Sequence, residues 1–149
     1  MTTAQADILL VEDSPEDLEL TLRALSKHPR QPHVAVARDG AEALEFLQAT
    51  GRYADRAHHA LPRVVLLDLK LPLVSGIEVL RRIKADPRTA RVPVVMLSSS
   101  REEPDIATCY ALGVNSYIVK PVEFQAFTDA VRQTGTYWLQ LNEAPVSSN

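Results

Sequence analysis

The 149-residue chain is 46 % apolar and 23 % charged, an ordinary globular composition that excludes disorder and gives one domain a core that needs no staples. Its formal charge is −3 and no cationic run exceeds Arg81-Arg82, so there is no electrostatic footprint for nucleic acid or anionic lipid, and proteins are the expected partners. Met1 to Ala6 lacks a basic start and an apolar core, no apolar run approaches the roughly 18 residues of a membrane span, and the single Cys109 has no internal disulfide partner; a cytoplasmic chain is expected.

Asp7-Ile8-Leu9-Leu10-Val11 reads as a short strand that ends in acid, Glu12-Asp13. Ser14 offers an N-cap, Pro15 a first-turn proline and Glu16-Asp17 first-turn acids, so a helix is predicted over residues 15–27, with Leu18, Leu22 and Leu25 on one face. His28-Pro29 stops it. His33 to Ala37 alternates like a second strand, and Arg38-Asp39-Gly40 leads into a helix striped by Ala41, Leu44 and Leu47. Gly51 to Arg63, with Arg52, Tyr53, Arg56, His58, His59 and Pro62, has no period and is expected to be a long surface loop. Adjacent histidines on an exposed loop rarely chelate one ion, so His58 and His59 are read as solvated.

Val64-Val65-Leu66-Leu67 is apolar on both faces, as in the middle of a parallel sheet, and Asp68 closes it. Leu71-Pro72 and Gly76 turn the chain into a helix carrying Ile77, Leu80 and Ile83, which Asp86-Pro87 ends. Val92 to Leu97 is a fourth strand ending in hydroxyls, Ser98-Ser99-Ser100. A helix opens at Glu102-Glu103-Pro104-Asp105, contains Cys109 as a buried inert thiol, and closes at Leu112-Gly113. Asn115 to Val119 is a fifth strand that ends in a cation, Lys120-Pro121. Phe124, Phe127 and Val131 stripe a last helix that is expected to continue through Tyr137, Trp138, Leu139 and Leu141 despite Gly135. Tyr137, Trp138 and Leu141 are read as a self-association patch rather than a cover on the domain's own core.

Five alternations of strand and helix with short connections specify an α/β doubly wound five-stranded parallel sheet in one domain. Residues 1–6 are expected to be a disordered N-terminus, 7–141 the domain and 142–149 a fraying tail. In such a sheet all strand C-termini share one edge, which collects Glu12, Asp13, Asp68, Ser98 and Lys120. Three carboxylates there repel one another unless a divalent cation joins them, and Mg²⁺ suits a few carboxylates, waters and phosphate oxygens. Three acids, one lysine and one Mg²⁺ sum to zero charge. Aspartyl phosphate chemistry follows from the residue types: Asp68 attacks phosphorus, Asp13 holds the metal with Glu12 assisting through water, and the Lys70 backbone carbonyl completes the metal shell. Lys120 and Ser98 contact phosphoryl oxygens.

The set Val11-Glu12-Asp13, Asp68-Leu69-Lys70-Leu71-Pro72 with Gly76, Met96-Leu97-Ser98 and Tyr117-Ile118-Val119-Lys120-Pro121 resembles the receiver domain of two-component response regulators over about residues 7 to 134. The resemblance implies flavodoxin-like strand order 2-1-3-4-5, Mg²⁺-dependent phosphorylation of Asp68 by a sensor histidine kinase, and Ser98 with Tyr117 as a switch pair that changes the face of the fourth helix, fifth strand and fifth helix. It implies a phosphoacceptor that assists its own phosphotransfer and dephosphorylation, not an enzyme acting on other substrates. Glu12 stands where the family commonly has Asp and Ser98 where it commonly has Thr; both keep the chemistry. The 51–63 loop and the Trp138 to Pro145 ending are similar to stand-alone regulators that accompany bacterial and cyanobacterial phytochrome kinases, and no DNA-binding module fits the roughly fifteen residues after the last helix. A phosphate sink draining a kinase is the alternative within this chemistry.

Other readings fit less well. Haloacid-dehalogenase-like phosphatases need a second Asp two residues after the nucleophile, where Lys70 stands. Glu12-Asp13 repels a flavin phosphate, and no G-x-x-x-x-G-K-[ST] or G-x-G-x-x-G occurs.

Overall fold

The computed structural model describes residues 5–56 and 60–145. The expected solvation of His58 and His59, most of the expected N-terminal disorder and the last four tail residues lie outside them. Strands β1 (Ile8–Val11), β2 (Val34–Ala37), β3 (Val64–Leu67), β4 (Val94–Ser98) and β5 (Ser116–Val119) alternate with helices α1 (Pro15–Ser26), α2 (Gly40–Gln48), α3 (Gly76–Ala85), α4 (Glu103–Ala111) and α5 (Phe124–Thr136). All pairings are parallel, in the order β2-β1-β3-β4-β5. The first, second, fourth and fifth strands begin one or two residues later than the sequence reading placed them.

Period-two alternation sorts the strand residues into two cores. Leu9, Val11, Val65, Leu67, Val94 and Met96 face α2, α3 and α4 through Leu44, Phe46, Leu47, Val79, Leu80, Ile83 and Cys109. Ile8, Leu10, Val64, Leu66, Val95 and Leu97 face α1 and α5 through Leu25, Phe127 and Val131. Both faces of β1, β3 and β4 are therefore buried, which is why these strands read as unbroken apolar runs. Cys109 is fully buried, and burial followed by the nearby Asp105 charge raises its thiol pKa, as expected of an inert packing residue.

Local chemistry fixes the helix starts. Ser14, Asp39, Ser75 and Glu123 cap α1, α2, α3 and α5 by accepting from backbone amides of the first turn. Gly76 is required by close approach, because a Cβ there would collide with the Asp68 carbonyl and the Leu69 backbone. This contact seats α3 directly on the loop that follows β3.

Two expectations are corrected. The stretch after α2 is not simply a solvated loop: Gly51–Arg56 forms a 3-10 turn, and Arg56 is only 3 % exposed. Its guanidinium lies 3.5 Å above the Phe46 ring and donates to the Phe46 carbonyl at 2.7 Å, so a core aromatic anchors the loop. At the other end, α5 continues without interruption into a π-helical turn, Tyr137–Leu141. Its Trp138 is half-buried, packing with Leu139 against the second core and so serving in part as the core cover that the sequence reading set aside, while its neighbour Tyr137 and Leu141 are exposed.

Candidate functional site

The parallel ladder runs one residue beyond the strands and thereby aligns their polar ends. The Glu12 amide donates to the Ala37 carbonyl at 3.0 Å, the Asp68 amide to Val11 at 3.1 Å and the Lys120 amide to Ser98 at 2.7 Å. Side chains from positions 12, 68 and 120, far apart in the chain, are thus delivered to one rim where β1 lies between β2 and β3, the point at which strand order reverses.

At that rim Glu12, Asp13 and Asp68 each place a carboxylate oxygen within 4.8 Å of the others. Asp13 is exposed, Glu12 is 2 % exposed and the Asp68 side chain is 12 % exposed. Lys120 Nζ donates to Glu12 Oε1 at 2.8 Å, Asp17 Oδ2 at 2.8 Å and Asp68 Oδ2 at 3.4 Å. The second Glu12 oxygen accepts from the Ser14 amide at 3.2 Å. Burial pushes the Glu12 carboxyl up to about 7, against the bond from Lys120 and with the Asp68 charge adding to the rise. Burial alone would lower the Lys120 pKa, but the bonds to Asp17 and Glu12 and the Asp68 charge raise it, so the ammonium stays charged.

This donor set fits a hard divalent cation. Three oxygen ligands converge, one is open to solvent, and the crowding that raises Glu12 is relieved by positive charge. The Lys70 side chain is exposed, and its amide donates to Asp68 Oδ1 at 3.4 Å, which orients the carboxylate from the turn.

The hydroxyls lie on the next strand. Ser98 is 1 % exposed, and its Oγ accepts from the Ser100 amide at 3.1 Å. Ser100 Oγ donates to Asp105 Oδ2 at 2.6 Å, while the half-buried Tyr117 donates its hydroxyl to the Ser100 carbonyl at 2.9 Å. Ser98 and Tyr117 are therefore linked through the backbone of Ser100.

Sequence reasoning missed Asp17, which it treated only as a first-turn acid. The available signal was position: Asp17 lies in the first turn of the helix that begins at the acidic strand end.

Residues 8–132 match the family described as response regulator receiver domain. Response regulator Rcp1 of Synechocystis is 36 % identical over 140 residues, covering 94 % of this chain and 93 % of the relative. A solved Mn²⁺-bound form of Rcp1 superposes with a TM-score of 0.87 over 95 % of this chain and 99 % of that one. The bacteriophytochrome response regulator AtBRR is 54 % identical, with a TM-score of 0.73 over 93 % of this chain and 98 % of that structure. The probable methanogenesis regulatory protein FilR2 of Methanothrix harundinacea is 39 % identical over 138 residues, 93 % of this chain and 86 % of the relative. With three carboxylates and a lysine gathered at the strand ends, this chain belongs to the receiver domain family of response regulators.

Proposed function

We propose that Asp68 accepts a phosphoryl group from a phosphohistidine of a sensor histidine kinase, and that the resulting acyl phosphate changes which proteins the chain binds. The observation that carries this reading is the convergence of Glu12, Asp13, Asp68 and Lys120 at one rim. An Asp68 Oδ attacks phosphorus, the phosphorus–nitrogen bond of the donor breaks, and the leaving imidazole keeps its electron pair and takes a proton from solvent. Lys120 and the Ser98 hydroxyl neutralise and position the phosphoryl oxygens. Glu12, Asp13, Asp68 and the Lys70 backbone carbonyl are the groups that would hold Mg²⁺, which when bound supplies positive charge to the transferred group. That Rcp1 has a Mn²⁺-bound form supports divalent-cation binding by this chain.

Withdrawal of Ser98 Oγ from the Ser100 amide toward the phosphoryl group loosens the Ser100 turn that Tyr117 holds, and this connects the site to α4 and β5. Such a switch from mostly off to mostly on requires the phosphoryl group to favour one state by roughly 5 kcal/mol. The identity with AtBRR supports a bacteriophytochrome as the kinase. Residues 7–141 act as the responding unit, with the exposed Tyr137 and Leu141 offering a surface for a second copy. Incubated with Mg²⁺ and acetyl phosphate, the protein is expected to gain the mass of one phosphoryl group, and Asp68→Asn to gain none. Labelling that survives the substitution overturns the assignment.

A further inference from the structure

Resting on the reading of Asp68 as phosphoacceptor, the geometry points to a further positioning residue, Asp17: we propose that it draws the Lys120 ammonium away from Asp68 and so slows phosphoryl acceptance. An ammonium has three donors and no acceptor, and here all three are engaged. Two reach Glu12 and Asp17 at 2.8 Å, and the longest, at 3.4 Å, reaches Asp68. A phosphoryl oxygen arriving on Asp68 must take a donor that a carboxylate already holds. Glu12 is relieved of its claim when a cation joins the Glu12, Asp13 and Asp68 trio. Asp17 stands outside that trio, and its hold on Lys120 persists.

The restraint is rigidly mounted. The Asp17 amide donates to Ser14 Oγ at 3.3 Å, and its carbonyl accepts from the fully buried Thr21 hydroxyl at 2.7 Å, fixing this turn of α1. Asp17 also alters the charge of the rim. Counted with Glu12, Asp13, Asp68, Lys120 and one divalent cation, it leaves one negative charge in excess, where the three acids alone gave zero. An anionic phosphoryl donor is therefore opposed by the same residue that holds the lysine.

The test compares Asp17→Asn and Asp17→Glu with wild type in Mg²⁺ and acetyl phosphate, following phosphoryl gain by mass. Asp17→Asn is expected to react about fivefold faster, and Asp17→Glu, which keeps the charge, to remain within about twofold of wild type. The acceleration should shrink as salt rises, because it is electrostatic. In metal-free protein, acylation of Lys120 by acetic anhydride should increase in Asp17→Asn and not in Asp17→Glu. Equal rates for Asp17→Asn and wild type, equal rates for the two variants, or unchanged Lys120 acylation would each overturn the proposal. If wild type is labelled at Asp68 and Asp17→Asn behaves like wild type, Asp17 alone is misassigned. Labelling of Asp68→Asn, or none of wild type, removes the phosphoacceptor reading and the Asp17 proposal with it.

Discussion

Two lysines sit at opposite ends of the sheet and are held by opposite means. Lys84, at the end of α3, donates to the Ala90 and Val92 carbonyls at 3.1 and 3.0 Å and to Asn115 Oδ1 at 3.0 Å, where β4 and β5 begin. No carboxylate is among these partners, and burial lowers its pKa. Lys120, where β5 ends, is held by Glu12, Asp17 and Asp68, which together raise its pKa. Two backbone carbonyls and a side-chain amide, all neutral, give Lys84 nothing to exchange, so it fastens the fold. Carboxylates can exchange a lysine for a metal or a phosphoryl group, so on the proposed function Lys120 holds a site ready to rearrange.

The largest expected effect separates the two roles. Lys120→Ala should slow phosphoryl acceptance by about a hundredfold, the scale for losing one donor to a developing anion. Its fold should persist, because Glu12 can keep a proton near neutrality and a divalent cation can replace the lost charge. Lys84→Met is the converse: acceptance stays at the wild-type rate while denaturant unfolding shows a loss of about 1–3 kcal/mol from unpaired carbonyls. Swapped outcomes, with Lys84 controlling acceptance and Lys120 stability, would erase the distinction.

A smaller effect sharpens it through pH. Glu12 titrates at about 7 in the fold against an ordinary value of 4.5, so between these values the folded chain keeps a proton that the unfolded chain has released. Stability of the metal-free protein should therefore fall as pH rises through this window, by about 1–2 kcal/mol relative to Glu12→Gln. Saturating Mg²⁺ should remove the difference. Parallel stability curves for wild type and Glu12→Gln without metal would show that Glu12 is not crowded.

The fold was legible because each element announced itself locally. Apolar runs such as Val64 to Leu67 marked doubly buried strands, Ser14-Pro15 marked a helix start, and polar residues closing the runs marked one edge. The topology then did the rest, since a parallel sheet brings every closing residue to the same rim. What stayed hidden depends on contacts that no local pattern encodes. Arg56 lies in a stretch without period, and only the placement of Phe46 beneath it makes its burial tolerable. Trp138 looked like surplus apolar surface until the π-helical turn rotated it onto the core beside Leu139. Asp17 looked like an ordinary first-turn acid, because the lysine it meets is 103 residues away.

The most direct measurement identifies the phosphorylated atom. Protein treated with acetyl phosphate and Mg²⁺ is reduced with borohydride, which converts an aspartyl phosphate to homoserine, and the modified position is read by peptide mass spectrometry. Conversion of Asp68 and of no other acid is the expected result. Conversion at Asp13, or a stable phosphate on any histidine or serine with Asp68 intact, would contradict it.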